Sequence, residues 1–155
     1  MKLVPPLNFS LVSPGVYRSG YPNKKNFPFL KQLKLKSMLY LCEDDYSSET
    51  LEFLQENQIQ SFHIRLESSK EPFKELSQEL ITEALLCVLD KRNHPILIHC
   101  NKGKHRIGVL VAIIRKCMNW SLSATLDEYR RFLANKIRLD DQEVRLLFTL
   151  IFQVY

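Results

Sequence analysis

No apolar stretch in this 155-residue chain is long enough to cross a bilayer as a helix, so a membrane span is not expected within it. The first residues also lack the basic start, apolar run and small-residue cleavage site of a secretory leader. Four cysteines, Cys42, Cys87, Cys100 and Cys117, form no Cys-x-x-Cys pair and stand at no metal-like spacing from histidine. That scatter favours free thiols in a reducing compartment over a disulfide framework or a metal centre. No repeat, low-complexity tract or linker breaks the chain, and residues 1–155 are read as one domain, long enough to bury a proper core. Together these absences point to the cytoplasm and to chemistry without a metal or cofactor.

Positive charge is what the chain has in excess. A formal net charge of +5 suits an acidic partner, whether nucleic acid, a membrane surface or a highly phosphorylated small molecule. Nucleic-acid binding lacks its other signs, interleaved exposed aromatics and a recognised module, and is not expected.

One segment gives the charge a purpose. Pro95-Ile96-Leu97-Ile98-His99 is a compact β-favouring run, and Ile107-Gly108-Val109-Leu110-Val111-Ala112-Ile113-Ile114 reads as a buried helix. Between them stand Cys100, Asn101, Lys102, Gly103, Lys104, His105 and Arg106. A short loop from strand to helix turns its backbone N–H groups toward one spot, with the positive end of the helix dipole behind it, which makes an anion site. A cysteine at its mouth is expected to be a thiolate near neutral pH. Arg106 offers a planar fork for two oxygens of a transferring phosphoryl group. Gly103 lets the loop turn tightly without a Cβ intruding on the anion. Attack by the thiolate on phosphorus would give a phosphocysteine and split one hard displacement into two easier ones. A lone cysteine is more often a small core residue, but here strand, spacing, glycine, arginine and helix agree on phosphate-ester chemistry. Sulfur transfer fits less well, because it leaves the arginine without a role.

The rest of the chain alternates strand and helix patterns. Strands are expected at Val16–Ser19, Ser37–Cys42 and Ser61–Leu66, besides the one before Cys100. Helices are expected from Phe27 to Leu33 with Asn26 as cap, and from Glu49 to Gln58 with Leu51, Phe53 and Leu54 inward. Three more follow: Leu76 to Lys91, Ile107 to Met118, and Leu122 to Ala134. A last helix starts at the capping-box-like Asp140-x-x-Glu143 and continues through Leu146, Leu147, Leu150 and Ile151. The fold class is therefore α/β, a single domain with a mostly parallel central sheet flanked by helices. Ligands of such sheets sit beyond the carboxyl ends of the strands, where Cys100 stands.

Tyr17-Arg18-Ser19-Gly20, Leu41-Cys42, Lys70-Glu71-Pro72-Phe73, Arg92 through Cys100 and Gly103-Lys104-His105-Arg106 resemble the plant-and-fungal atypical dual-specificity phosphatases. These belong to the cysteine-dependent protein-tyrosine-phosphatase superfamily, and the resemblance spans nearly the whole chain. It implies a protein-tyrosine-phosphatase-like fold and removal of the β-phosphate of inositol pyrophosphates, with a phosphoprotein as the other substrate class. It maps the nucleophile onto Cys100, the phosphate-clamping arginine onto Arg106, and the phosphate loop onto Asn101, Lys102, Gly103, Lys104 and His105, with Ile107 and Gly108 completing the substrate-binding set. Basic side chains in that loop suit a substrate crowded with negative charge better than a deep phosphotyrosine pocket.

Two departures stand out against that family. A threonine or serine usually follows the arginine, where its hydroxyl helps the cysteine sulfur leave; this chain has Ile107. Its absence slows breakdown of the phosphoenzyme more than its formation, and a slow phosphatase or a phosphate-binding scaffold is the alternative it raises. The superfamily also draws a leaving-group proton from an aspartate about thirty residues before the cysteine. Near that distance this chain has Glu67 and Glu71, and Glu71 is taken as the acid. His99 is expected to order the loop by hydrogen bonding, and Cys42 to lie near Cys100, close enough for a protective disulfide. Arg18, Lys70, Arg131, Lys136 and Arg138 are read as solvated charges, and Trp120, Phe132 and Phe148 as core.

Overall fold

The structure is a computed structural model and describes residues 2–67 and 77–133. Among these, β1 (Ser10–Ser13), β2 (Val16–Ser19), β3 (Ser37–Tyr40), β4 (Gln60–His63) and β5 (Ile96–His99) form one sheet in the order β1-β2-β5-β3-β4. Only β1 is antiparallel, to its neighbour β2; the other pairings are parallel. The helices are α1 (Phe27–Leu33), α2 (Ser48–Glu56), α3 (Gln78–Leu89), α4 (His105–Cys117) and α5 (Leu122–Leu133). The expected mostly parallel α/β sheet is what forms, with β1 as an addition. Strand β1 escapes a sequence reading because it is a short edge strand, folded back on β2 at Pro14-Gly15, where Gly15 takes a φ of +83°.

Side-chain alternation along the strands divides the interior into two layers. Leu39, Leu41, Ile96, Ile98 and Val16 face α3, α4 and α5, whereas Met38, Tyr40, Cys42 and Leu97 face α1 and α2. Strand register sets Ser19, His99, Tyr40 and His63 level with one another at the carboxyl edge. That shared edge is where a loop leaving β5 can be reached from every parallel strand.

Several local expectations need correction. Asn26 does not cap α1; its side chain accepts from the backbone N–H of Asn23 at 2.9 Å and donates to the carbonyls of Val4 and Pro5, each at 3.1 Å. The capping oxygen there belongs to Asn23, which serves the turn of 3₁₀ helix preceding α1. In α2 it is Thr50 that turns inward beside Phe53 and Leu54, while Leu51 is 52% exposed, because Thr50 reaches the Ser47 and Tyr21 hydroxyls. Helix α4 starts at His105, two residues earlier than the apolar run suggests, since helical winding begins where the loop ends and not where the side chains become apolar. The helix expected from Asp140, together with Leu76, Ala134 and Phe148, lies outside the described residues.

One buried ion pair ties the layers beneath the sheet edge. Arg115 near the end of α4 donates from Nε and Nη2 to the two carboxylate oxygens of Glu128 on α5, both at 3.0 Å. Its Nη1 donates to the carbonyl of Val12 in β1 at 2.6 Å, and its plane lies 4.1 Å from the centroid of Trp120. A single arginine thus links α4, α5 and the edge strand. Removing only the carboxylate leaves a buried cation without its partner, so Glu128→Ala is expected to lower the unfolding free energy by about 3–5 kcal/mol, measured by urea titration.

Candidate active site

The loop expected to hold phosphate leaves β5 at Cys100 and runs into α4 at His105. Its shape depends on Gly103. That residue takes a φ of +74°, and a Cβ there would lie 2.5 Å from the backbone nitrogen of Gly20 and 2.7 Å from the carbonyl carbon of Ser19. The loop is therefore pressed backbone to backbone against the end of β2, which only glycine permits. Gly20 returns the constraint, since a Cβ there would come within 2.9 Å of the Asn101 carbonyl oxygen. Tyr21 N–H donates to that same carbonyl at 2.8 Å, and Asn8 Nδ2 to the carbonyl of Lys102 at 2.8 Å.

Held this way, the loop directs the Gly103 N–H to Cys100 Sγ at 3.3 Å. Lys104 stands at the N-cap of α4 and places no side-chain oxygen on the first-turn N–H groups. A thirteen-residue helix thus opens onto the loop without a capping side chain, an arrangement that receives an anion. Arg106, in the first turn of α4, is buried and sends Nη1 to Cys42 Sγ at 3.2 Å and to the carbonyl of Leu66 at 3.3 Å. Cys42 accepts a second hydrogen bond from Asn101 Nδ2 at 3.1 Å, and Asn101 Oδ1 accepts from the Tyr40 hydroxyl at 2.8 Å. Cys42 belongs to the layer facing α1 and α2 and Cys100 to the layer facing α3, α4 and α5, and both are free thiols.

Behind Cys100 lies an aromatic layer. His99 is fully buried and stacks on Tyr40 with ring centroids 4.7 Å apart. Burial pulls its imidazole down to about 4, so the ring is neutral near pH 7. Nδ1 lies 3.1 Å from the Cys100 carbonyl, which can only accept, and the proton therefore sits on Nδ1. That leaves Nε2 to accept from the Tyr46 hydroxyl at 2.7 Å. Burial pushes the phenols of Tyr40 and Tyr46 well above their ordinary range, which keeps them as O–H donors. His99 thus orders the loop.

Residues expected around the phosphate divide into two groups. Gly103 reaches Cys100 while Asn101 and Arg106 both reach Cys42, with Lys102 exposed and Lys104 and His105 half-buried. His105 Nδ1 lies 3.2 Å from the Tyr129 hydroxyl, which ties the start of α4 to α5. Ile107 is buried in the same apolar cluster as Cys100, and a Cβ on Gly108 would meet the Tyr129 ring at 2.8 Å. Gly108 is a close-packing point of α4 on α5. Glu71, Lys70, Lys136 and Arg138 lie outside the described residues, and Arg131 is exposed.

Two findings had no place in the sequence reading. Arg18, read as a solvated charge, is buried directly beneath the loop, and its guanidinium lies 3.6 Å from the centroid of Phe132. Trp120 and Phe132 are half-buried faces that carry arginines, and neither is core. The period-two pattern contained the signal for Arg18, because Val16 points inward and Arg18 must follow it. Asp44 is the second: its carboxylate lies 3.9 Å from Cys42 Sγ, in a segment held by Arg65 through the Glu43 carbonyl and the Asp45 carboxylate.

Neutral His99 makes stability depend on pH. Its folded-state value lies below its ordinary 6.5, so the unfolded chain takes up the proton first as pH falls. The stability it confers is complete above about pH 6.5 and is lost as pH drops to about 4, a loss of roughly 3 kcal/mol. Urea titrations between pH 7 and pH 4 are expected to show that decline in the wild type and a flatter profile in His99→Gln.

Residues 3–150 match the family model described as the tyrosine phosphatase family. The chain is 50% identical over 145 residues to the inositol diphosphatase DSP4 of Arabidopsis thaliana, a match covering 94% of this chain and 73% of the relative. To the inositol diphosphatase SIW14 of Saccharomyces cerevisiae it is 48% identical over 143 residues, covering 92% of this chain and 51% of that one. The crystal structure of the core catalytic domain of the S. cerevisiae PP-IP phosphatase SIW14 in complex with citrate matches with a TM-score of 0.87 at 42% identity, covering 96% of this chain and 88% of that chain.

Proposed function

The chain belongs to the tyrosine phosphatase family, and we propose that it is a cysteine-dependent phosphatase that removes the β-phosphate of inositol pyrophosphates. The observation that carries the reading is the placement of Cys100 Sγ under the Gly103 N–H, at the uncapped start of α4, with Arg106 in the first turn of that helix. Two relatives bearing the name inositol diphosphatase, matched over more than nine-tenths of this chain, support the substrate class.

In the proposed mechanism Cys100 Sγ attacks the terminal phosphorus of the diphosphate. An S–P bond forms, and the bond from phosphorus to the bridging oxygen breaks. The leaving group is the remaining phosphate on the inositol ring. Arg106 and the loop N–H groups hold the equatorial oxygens as their charge redistributes. Water then attacks the phosphocysteine, releasing inorganic phosphate and restoring the thiol. Glu71 is the proposed proton donor, on its place in the sequence. A phosphate needs less help from an acid than an alkoxide does, so the diphosphate tolerates a weak donor. Lys102 and Lys104 flank the mouth and suit the remaining ring phosphates.

Position 107 separates the two chemical steps. Ile107 is buried with the core, where the family's usual hydroxyl would stand next to the loop. The reading predicts phosphate release from a 5-diphosphoinositol polyphosphate that exceeds release from a phosphotyrosine peptide and is abolished in Cys100→Ser. Preference for the peptide would make the chain a protein phosphatase instead. Ile107→Thr is expected to raise turnover by about ten- to a thousand-fold, with a burst of phosphoenzyme in the wild type that the variant lacks. Ile107→Val, which removes apolar volume without adding a hydroxyl, should leave turnover near the wild-type rate.

A further inference from the structure

Arg18 has an unusual setting for a cation. It is 1% exposed, and its Nε and Nη1 have no hydrogen-bond partner. Nη2 donates to the Gly103 carbonyl at 3.3 Å, and the face of the guanidinium rests on Phe132. Desolvation lowers its pKa to about 10, which still leaves it charged at neutral pH. The buried charged side chains among the described residues are Arg18, Arg106, Arg115 and Glu128. Arg115 and Glu128 neutralise one another through two hydrogen bonds. Two positive charges are left over, Arg106 in the first turn of α4 and Arg18 beneath the loop, where the already paired Glu128 and Cys100 offset the burial of Arg18 only in part.

A buried charge without a countercharge of its own is costly to the empty protein. A phosphoryl dianion in the loop supplies the missing negative charge. The hydrogen bond to Gly103 acts in the same direction. In a trans peptide the C=O and the following N–H point to opposite sides. Pinning the Gly103 carbonyl from beneath therefore turns the Lys104 N–H up toward the mouth, beside the free first turn of α4.

We propose that Arg18 is a positioning residue for the anion: a countercharge buried behind the phosphate loop that also aims the loop's backbone donors at the bound phosphoryl group. This rests on the reading of the Cys100–Arg106 loop as a phosphate site. It goes further by assigning the affinity for phosphate partly to a residue that never touches it.

The probe is orthovanadate, which resembles phosphate, with binding followed by isothermal titration and thermal melting recorded with and without it. Arg18→Met is expected to weaken orthovanadate binding at least tenfold, while its melting temperature without orthovanadate is unchanged or higher. Arg18→Lys, which keeps the charge, is expected to recover most of the lost affinity. Two results would overturn the proposal. One is Arg18→Met binding orthovanadate like the wild type. The other is an Arg18→Met that fails to fold or melts well below the wild type without orthovanadate, which would make Arg18 a structural residue of the empty protein. Failure of the wild type itself to bind orthovanadate would instead remove the phosphate-site reading on which this inference stands.

Discussion

The close approach of Gly103 to the Ser19–Gly20 backbone is the constraint on which the site depends. With 2.5 Å between a hypothetical Cβ and the Gly20 nitrogen, the loop has no freedom to retreat or to carry a side chain there. Parallel pairing of β2 with β5 places Ser19 level with His99, so the last residue of one strand meets the loop leaving the other. From that contact follow the Gly103 N–H aimed at Cys100 and the carbonyl turned down to Arg18. The exposed chemistry at the edge is the consequence of a backbone contact beneath it.

The sheet also separates two kinds of support. On the face toward α1 and α2, Tyr40, Tyr46 and His99 form a neutral, hydrogen-bonded aromatic layer that fixes Asn101 and the Cys100 carbonyl. On the face toward α4 and α5, Arg18, Arg115 and Glu128 form an ionic layer. The neutral layer gives geometry without adding charge near the sulfur. The ionic layer gives a net positive field from a direction that water does not screen. An anion site built on one layer alone would have either rigidity or potential, and the two faces of a sheet provide both.

Most of this was legible in the residues. Cys100, Gly103 and Arg106 stand between an apolar strand and an apolar helix, and it is the agreement of those features that points to an anion site. The alternation of strand and helix patterns was enough for the parallel sheet. What escaped was governed by tertiary packing. Strand β1 has no alternation of its own and exists because β2 offers it an edge. Thr50 turns inward in place of Leu51 because two hydroxyls across the layer satisfy it. Arg18 reads as surface by residue type, and only its parity with Val16 on a strand covered by α4 and α5 reveals it as interior. Glu71 remains a matter of sequence position alone, since it lies outside the described residues.

Position 107 gives the site its direction. The groups that the proposed mechanism uses to stabilise attack on phosphorus are the loop N–H groups, Arg106 and the start of α4. The hydroxyl that would ease departure of the sulfur is replaced by a side chain committed to the core. In the proposed mechanism formation of the phosphoenzyme would thereby be favoured over its decay. A substrate with a phosphate leaving group sharpens the imbalance, because it speeds the first step without touching the second. Slow release would thus be most visible on the very substrates that the loop's positive charge selects, and it would arise from a single apolar residue in the first turn of α4.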